Sequence, residues 1–521
     1  MTQVHKDQTK YREIEEVLAL SVPFGDSAYL NQNTWSRYAD RLEMLSGCVP
    51  SAKALGDAVR HASDETKYCV IGDPTVRNSI NSCLVHFRLK HASEAVAQAA
   101  EIIQLTRQQV EKHIATPPLQ VGVTAVSRLG QGAYDAWMWT DDRREDPNSR
   151  YFRMMVEKEL GPAHLKLLSA SSSQIEMLAK GAELLRTLLP QLANSALSHT
   201  HLVALLSHPP DFTSVTNPQI PGVIFLSPSV LSTPWKVAEY LLHESLHLKF
   251  IDAEHTHSLL PKGYKQKDCL IRPPWRRPHT ANPYLWPLNR VLTVAHVYTA
   301  LSLFFLIADA QSSELAPVYG SKIDGLPQLI QQSLDRAEFL TGQLQLNSDH
   351  LGKAGQHFVR WLDEVVGRLQ PFRRPMGCYL HLVSDLYDTE ASTLARVIAR
   401  VPSEKLLSEV NLAEMGFNRT TLIDVLSEML QNEISCVHEI AEKSGQPLEW
   451  VDLLSQTVRQ ERRQSSAELA TLILGTRALV CQSLQKIPAG RYTTVVAPLI
   501  LDDLLLSSSR YVEATRRHLN S

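Results

Sequence analysis

One run of this sequence, His243-Glu244-Ser245-Leu246-His247, combines residue types and a spacing that can do chemistry. Two histidines four apart project from one face of a helix, a turn apart, so both imidazoles can reach one metal ion. The glutamate between them lies about 100° around the helix, within reach of a water or substrate held by that metal. In zinc peptidases that use this motif the glutamate is the general base. The chain carries 20 histidines, so composition alone could produce the pattern once. What surrounds the motif therefore decides its meaning.

Thr233-Pro234 gives a helix start, with Thr as the cap and Pro at the first helical position. From there Lys236, Glu239, His243, His247 and Phe250 share one face, and Val237, Leu241 and Leu248 share the opposite one. Two short apolar runs just upstream, 201–206 and 222–226, are bounded by Pro and Asn and read as strands. Most of the remaining chain, from 10–20 through 463–485, has helical periodicity, as in the Ala-, Glu-, Gln- and Leu-rich run 91–114. The expected fold is mainly α with a small β-sheet packed beside the motif helix, an α+β arrangement that is zincin-like locally. Three regions are expected: a helical one over 1–116, a metal-site domain over 117–320, and a helical one over 321–521.

A catalytic metal needs a third protein ligand and open positions for substrate. A metzincin continues H-x-x-G-x-x-H, but here position 250 is Phe and position 253 is Ala. A thermolysin-like peptidase takes a glutamate from a following helix. After Glu254 the next glutamate is Glu314, 67 residues past His247 (314 − 247). Glu254 itself, three turns from His243, is too far along the helix to share an ion with it. His296 stands out among later candidates because it lies mid-helix in Leu292-Thr-Val-Ala-His-Val-Tyr-Thr-Ala-Leu, where a polar ring needs a partner. It is read as the third ligand, the alternative being a core histidine bonded to a backbone carbonyl. Asp309 is a further candidate, while His255, His257 and His279 read as solvated loop residues.

Between Asp252 and Pro287 the helical pattern breaks, with prolines at 261, 273, 274, 278, 283 and 287. From 262 to 277 this loop holds Lys262, Lys265, Lys267, Arg272, Arg276 and Arg277 against Asp268 alone. Arginine binds carboxylates with a two-pronged fork, so Pro274-Trp-Arg-Arg-Pro suits a carboxylate substrate or cosubstrate.

A formal net charge of −3 gives no global footprint for nucleic acid or an anionic membrane. Seven cysteines, at 48, 69, 83, 269, 378, 436 and 481, form no C-x-x-C pair and suggest reduced thiols. The polar N-terminus has no signal-peptide character, and 291–310 reads as a buried helix interrupted by His296, not a membrane span. A cytoplasmic protein is expected, with neither nucleic acid nor membrane as partner.

Several pieces together resemble a known family, the bacterial H-E-x-x-H motif proteins associated with peptide-modifying gene clusters. The resemblance runs over Ala238-Glu-Tyr-Leu-Leu-His-Glu-Ser-Leu-His, Pro274-Trp-Arg, Trp286 to Arg290 and Ala295-His-Val-Tyr. Asp73-Pro-Thr-Val-Arg77 looks like the family's D/H-P-x-V-R element. It covers roughly residues 70–310 and is carried mainly by the H-E-x-x-H. Family members studied as enzymes look like iron(II)- and 2-oxoglutarate-dependent β-hydroxylases of amino-acid residues. The resemblance thus implies Fe(II) on His243, His247 and His296, Arg276 on the far carboxylate of 2-oxoglutarate, and Glu244 orienting a ligand or substrate. The substrate would be an amino-acid side chain, free or within a peptide. Two other classes compete: a zinc metallopeptidase with Glu244 as general base, and a helical scaffold protein with a vestigial site.

Overall fold

The computed structural model describes residues 2–89, 94–112, 126–128, 136–140, 145–161, 166–207, 212–273, 275, 285–321, 323–372, 391–406, 421–443 and 466–486. These are mainly helical, with two small sheets, as expected from the periodicity. The contacts divide the chain into two compact units.

The first unit comprises residues 1–262, 296–330 and 351–369. It opens with six helices: α1 (Thr2–Leu20), α2 (Ser27–Leu45), α3 (Pro50–His61), α4 (Asp64–Gly72), α5 (Pro74–Leu89) and α6 (Glu94–Glu111). Strands β1 (Val126–Arg128) and β2 (Trp137–Trp139), helix α7 (Pro147–Leu160) and strand β3 (Lys166–Leu168) follow. Helices α8 (Ser172–Leu188) and α9 (Pro190–Leu197) then lead to β4 (Leu202–Ser207), β5 (Ser214–Val215) and β6 (Val223–Leu226). The motif helix α10 (Pro234–Thr256) comes next, and the unit also holds the larger part of α11 (Leu288–Tyr319) and all of α13 (Lys353–Leu369).

The six-stranded sheet runs β1-β2-β4-β6-β5, with β3 also on β4. The central strand β4 lies parallel to β2 and to β6 and antiparallel to β3. Both β4 and β6 are apolar without alternation and almost wholly buried. That is the signature of parallel strands covered on both faces, and it explains why they stand out as unbroken apolar runs. One face is covered by a core that joins α2, α3, α5 and α6 to Trp139, Phe152, Leu206 and Phe225. At the edge, β5 pairs antiparallel with β6, Ser214 opposite Leu226 and Val215 opposite Phe225.

Helix α8 crosses α10 closely because Gly181 faces Val237. A Cβ built on Gly181 would stand 2.2 Å from Val237 Cγ1. Gly181→Ala is therefore expected to cost about 1–3 kcal/mol in urea-unfolding measurements, the usual range for forcing a methyl into a packed core. Adding Val237→Ala should recover part of that loss; a double variant no better than the sum of the two single changes would mean that the clash is not the cause.

The second unit comprises residues 263–295, 331–350 and 370–521. It contains a two-stranded antiparallel sheet of β7 (Leu270–Ile271) and β8 (Trp286–Pro287), and most of α12 (Leu326–Leu346). Trp275 packs edge-on to Trp286 and Phe339, with the Arg336 guanidinium 5.3 Å above its ring. Further along, Leu422–Lys443 and Ser466–Lys486 are helices whose apolar faces share a core with Leu394, Ile398 and Val401. Between them Arg477 pairs with Glu433, both fully buried.

The apolar segment 291–310 lies within α11, a helix long and apolar enough to cross a membrane by length and composition alone. Its most apolar window is 83% buried within the protein. Cys48, Cys69, Cys83, Cys269 and Cys436 are free thiols.

Candidate metal site on the motif helix

Helix α10 begins where the sequence places its start: Thr233 accepts a hydrogen bond from the Lys236 amide, and Pro234 occupies the first turn. Nothing breaks the helix before Thr256, so it runs one turn further than expected. His255 therefore closes its last turn and His257 caps it, and neither is a loop residue. His257 packs edge-on against Phe24, 5.5 Å between ring centres.

From Trp235 to Lys249 the helix is buried except for a stripe formed by Lys236, Glu239, Tyr240, His243 and His247, each half-exposed. Phe250 does not belong to that stripe: it is 3% exposed and packs on Phe358. His243 and His247 point the same way, with their Nε2 atoms 3.2 Å apart. Two nitrogens bound to one ion at about 2.0–2.1 Å stand roughly 3.0–3.4 Å from each other, depending on the angle between them, so the pair fits a metal as it stands. Burial lowers the basicity of His243, against the opposing pull of Glu244, which favours the neutral imidazole that ligation requires.

Glu244 lies almost fully buried beside this pair, its Oε1 4.0 Å from His243 Nε2. It accepts a 2.6 Å hydrogen bond from Ser214 Oγ on the edge strand β5. The neighbouring Tyr240 hydroxyl bonds the Thr213 side chain. Two successive residues at the sheet edge thus hold the motif's central turn.

His296 sits on α11 at 1% exposure, its ring centre 5.7 Å from Phe358 and 5.6 Å from Trp361. Among the described residues neither ring nitrogen has a hydrogen-bond partner. The expected alternative, a core histidine bonded to a carbonyl, therefore fails. Burial, then Lys249, His247 and His199, hold the ring well below the usual basicity of histidine, which leaves two lone donor or acceptor atoms with nothing to bind. No three His, Cys, Asp or Glu side chains among the described residues converge on one point in these rotamers. Glu254 is exposed. Asp309 lies thirteen residues beyond His296, about 20 Å along the helix, so the two cannot serve one ion. Arg276, Arg277 and His279 lie outside the described residues.

Beneath the histidines, on the opposite side of α10, lies a polar network that the sequence did not reveal. Asp252 receives Arg77 Nη1 at 2.9 Å and faces His199 Nδ1 at 2.8 Å, all three buried. His199 Nε2 in turn faces Ser27 Oγ. Lys249, 1% exposed, donates from Nζ to the Gly25 carbonyl at 2.6 Å and to Ser195 Oγ at 2.7 Å. Ser245 Oγ meets Thr200 Oγ1 at 2.8 Å. Ser245, Lys249 and Asp252 recur at helical spacing, and such a polar stripe on a helix that is apolar elsewhere was the available signal. The Asp73–Arg77 element belongs here. Asp73 caps α5 by accepting from the Thr75 amide and hydroxyl, and Arg77 donates Nε to the Ile71 carbonyl as well as Nη1 to Asp252.

Compared with known protein families and with curated proteins, the sequence matches none.

Proposed function

We propose that the protein is a metal-dependent oxygenase, a mononuclear iron(II) enzyme that uses 2-oxoglutarate to hydroxylate an amino-acid side chain, free or in a peptide. The observation supporting a metal is the 3.2 Å separation of His243 Nε2 and His247 Nε2, together with the buried ring of His296, unpartnered at both nitrogens among the described residues. The choice of iron and 2-oxoglutarate rests on the resemblance of 238–247, 274–276 and 295–298 to the peptide-modifying H-E-x-x-H proteins.

In this reading His243 and His247 supply two nitrogens and His296, after turning its ring, the third. Nitrogen ligands with positions left open are the donor set such chemistry requires, and when bound the iron supplies activation of oxygen. The protein's own contributions are positional. Neutral imidazoles present lone pairs at fixed spacing, and Glu244 is locked by Ser214 where it can orient a bound group; the resemblance alone assigns the cosubstrate carboxylate to Arg276. The absence of a glutamate from 255 to 313 counts against a peptidase.

One observation favours the hydrolytic alternative. The motif helix runs beside an antiparallel edge strand, with Glu244 tied to that strand 4.0 Å from His243 Nε2. In the hydrolytic reading this strand would serve as the edge of a zincin-like site, and Glu244 would be the general base toward water.

The test is to incubate anaerobically purified protein with Fe(II), 2-oxoglutarate and oxygen, and to measure succinate with and without peptides. Succinate formation is expected, lost in His243→Ala. Stoichiometric zinc, peptide cleavage and no succinate would replace the oxygenase by the peptidase. A His296→Ala variant with undiminished iron affinity would remove the third-ligand assignment.

A further inference from the structure

Two features of the site have no other use among the described residues. The first is the edge of the sheet. Thr213 accepts from the Ser227 amide at 2.8 Å, and the register places Ser214 opposite Leu226 and Val215 opposite Phe225. In an antiparallel pair, residues alternate between bonding inward and pointing away. Thr213 bonds inward, so the Ser214 N–H and C=O project off the open side of β5, while its hydroxyl holds Glu244. Among the described residues nothing bonds this backbone donor and acceptor, which stand beside the motif turn in the arrangement that accepts an added strand.

The second feature is Glu239. It lies one turn before His243 on the accessible stripe of α10, beside Tyr240, which is itself bonded to Thr213. Among the described residues its carboxylate has no hydrogen bond or ion pair, and Lys236 directs Nζ to the Ser229 carbonyl instead. Burial pushes the Glu239 carboxyl up to about 7. A half-buried carboxylate that has lost water without gaining a partner is costly, and a cation brought by a ligand would relieve it.

Resting on the metal-site reading above, we propose that the substrate is an extended peptide that adds as an outer strand to β5 at Ser214, with a lysine or arginine near the modified residue paired to Glu239. The backbone contact supplies affinity and the carboxylate supplies selection, because side chains alternate along an added strand and only some of them turn toward the helix.

The experiment uses the full chain loaded with Co(II) and a short, doubly capped, fluorescein-labelled peptide Thr-Val-Lys-Val-Thr. Its binding is compared, by anisotropy, with that of the same peptide carrying Met or Glu for Lys, and of an N-methylated version. The lysine peptide should bind about tenfold tighter than the methionine one, a typical strength for a partly desolvated charge-assisted bond. Glu239→Gln should erase that difference while keeping the unfolding temperature, and N-methylation should weaken binding to both proteins. Equal binding of lysine and methionine peptides, a preference that survives Glu239→Gln, or no binding by any peptide overturns the proposal. Full binding of the N-methylated peptide overturns its strand-addition part. Co(II) titration of wild type and His243→Ala separates the two readings. Cobalt held through His243 with no peptide preference sinks this proposal alone, whereas no cobalt binding sinks the metal site.

Discussion

Asp252→Ala is expected to destabilise the protein by about 3–5 kcal/mol, the range found when one partner of a buried ion pair is removed. The reason is the geometry on the underside of α10. Arg77 is 1% exposed, and its Nη1 has Asp252 as its only carboxylate partner among the described residues. Removing that carboxylate leaves a guanidinium buried without compensation. His199 also loses the acceptor that faces its Nδ1. The same pair predicts acid sensitivity. Burial would raise the Asp252 carboxyl, but Arg77 and His199 overcome it and hold the group well below the usual aspartate range. A carboxyl depressed in the folded state contributes stability that is complete above its unfolded value and lost as pH falls below that value. Wild type should therefore lose stability below about pH 4, and Asp252→Ala should show a shallower slope there. Urea unfolding at several pH values measures both effects. A loss under about 1 kcal/mol, or an unchanged acid slope, would mean that the pair is weaker than its burial implies.

His247→Ala should lower metal affinity by more than about a hundredfold, beyond the ten- to hundredfold typical of residues that only support a ligand. Its unfolding temperature in the metal-free state should stay close to wild type, because the ring is half-exposed and its removal leaves no buried cavity. Titration with Co(II) or Zn(II), followed by absorbance and calorimetry, reads the first quantity, and thermal unfolding reads the second. Unchanged affinity would transfer the ion away from the motif, and with it the function proposed above.

The legible parts of this protein were local. Thr233-Pro234 specified a helix start because a hydroxyl cap and a proline at the first turn satisfy that end by themselves. The runs 201–206 and 222–226 announced strands, and their unbroken apolar character follows from parallel strands covered on both faces, which need no polar side. The histidine pair followed from helical spacing alone. What could not be read depends on partners distant in the chain. Lys249 and Asp252 look like solvated charges until Gly25, Ser195 and Arg77 arrive from as far as 224 residues away. Ser214 lies in a two-residue strand between turn-forming residues, with no periodicity to mark it. Phe250 was placed with the histidines because 243, 247 and 250 share a helical face, but α13 covers that end of the stripe with Phe358. Arg276, chosen for its proline-stiffened surroundings, lies outside the described residues.

The Lys249–Asp252 network has a consequence for ligand affinity that its distance from the histidines conceals. Gly25 and Ser27 at the start of α2, Ser195 on α9 and Arg77 on α5 clamp α10 from three directions and so fix its rotation about its own axis. A helix free to roll would have to be arrested whenever an ion bound, and that lost freedom would be subtracted from the binding energy. Here the arrest is complete beforehand. Alterations in the first eighty residues, far from any ligand atom, should therefore surface as changes in metal dissociation constant before they surface as loss of fold.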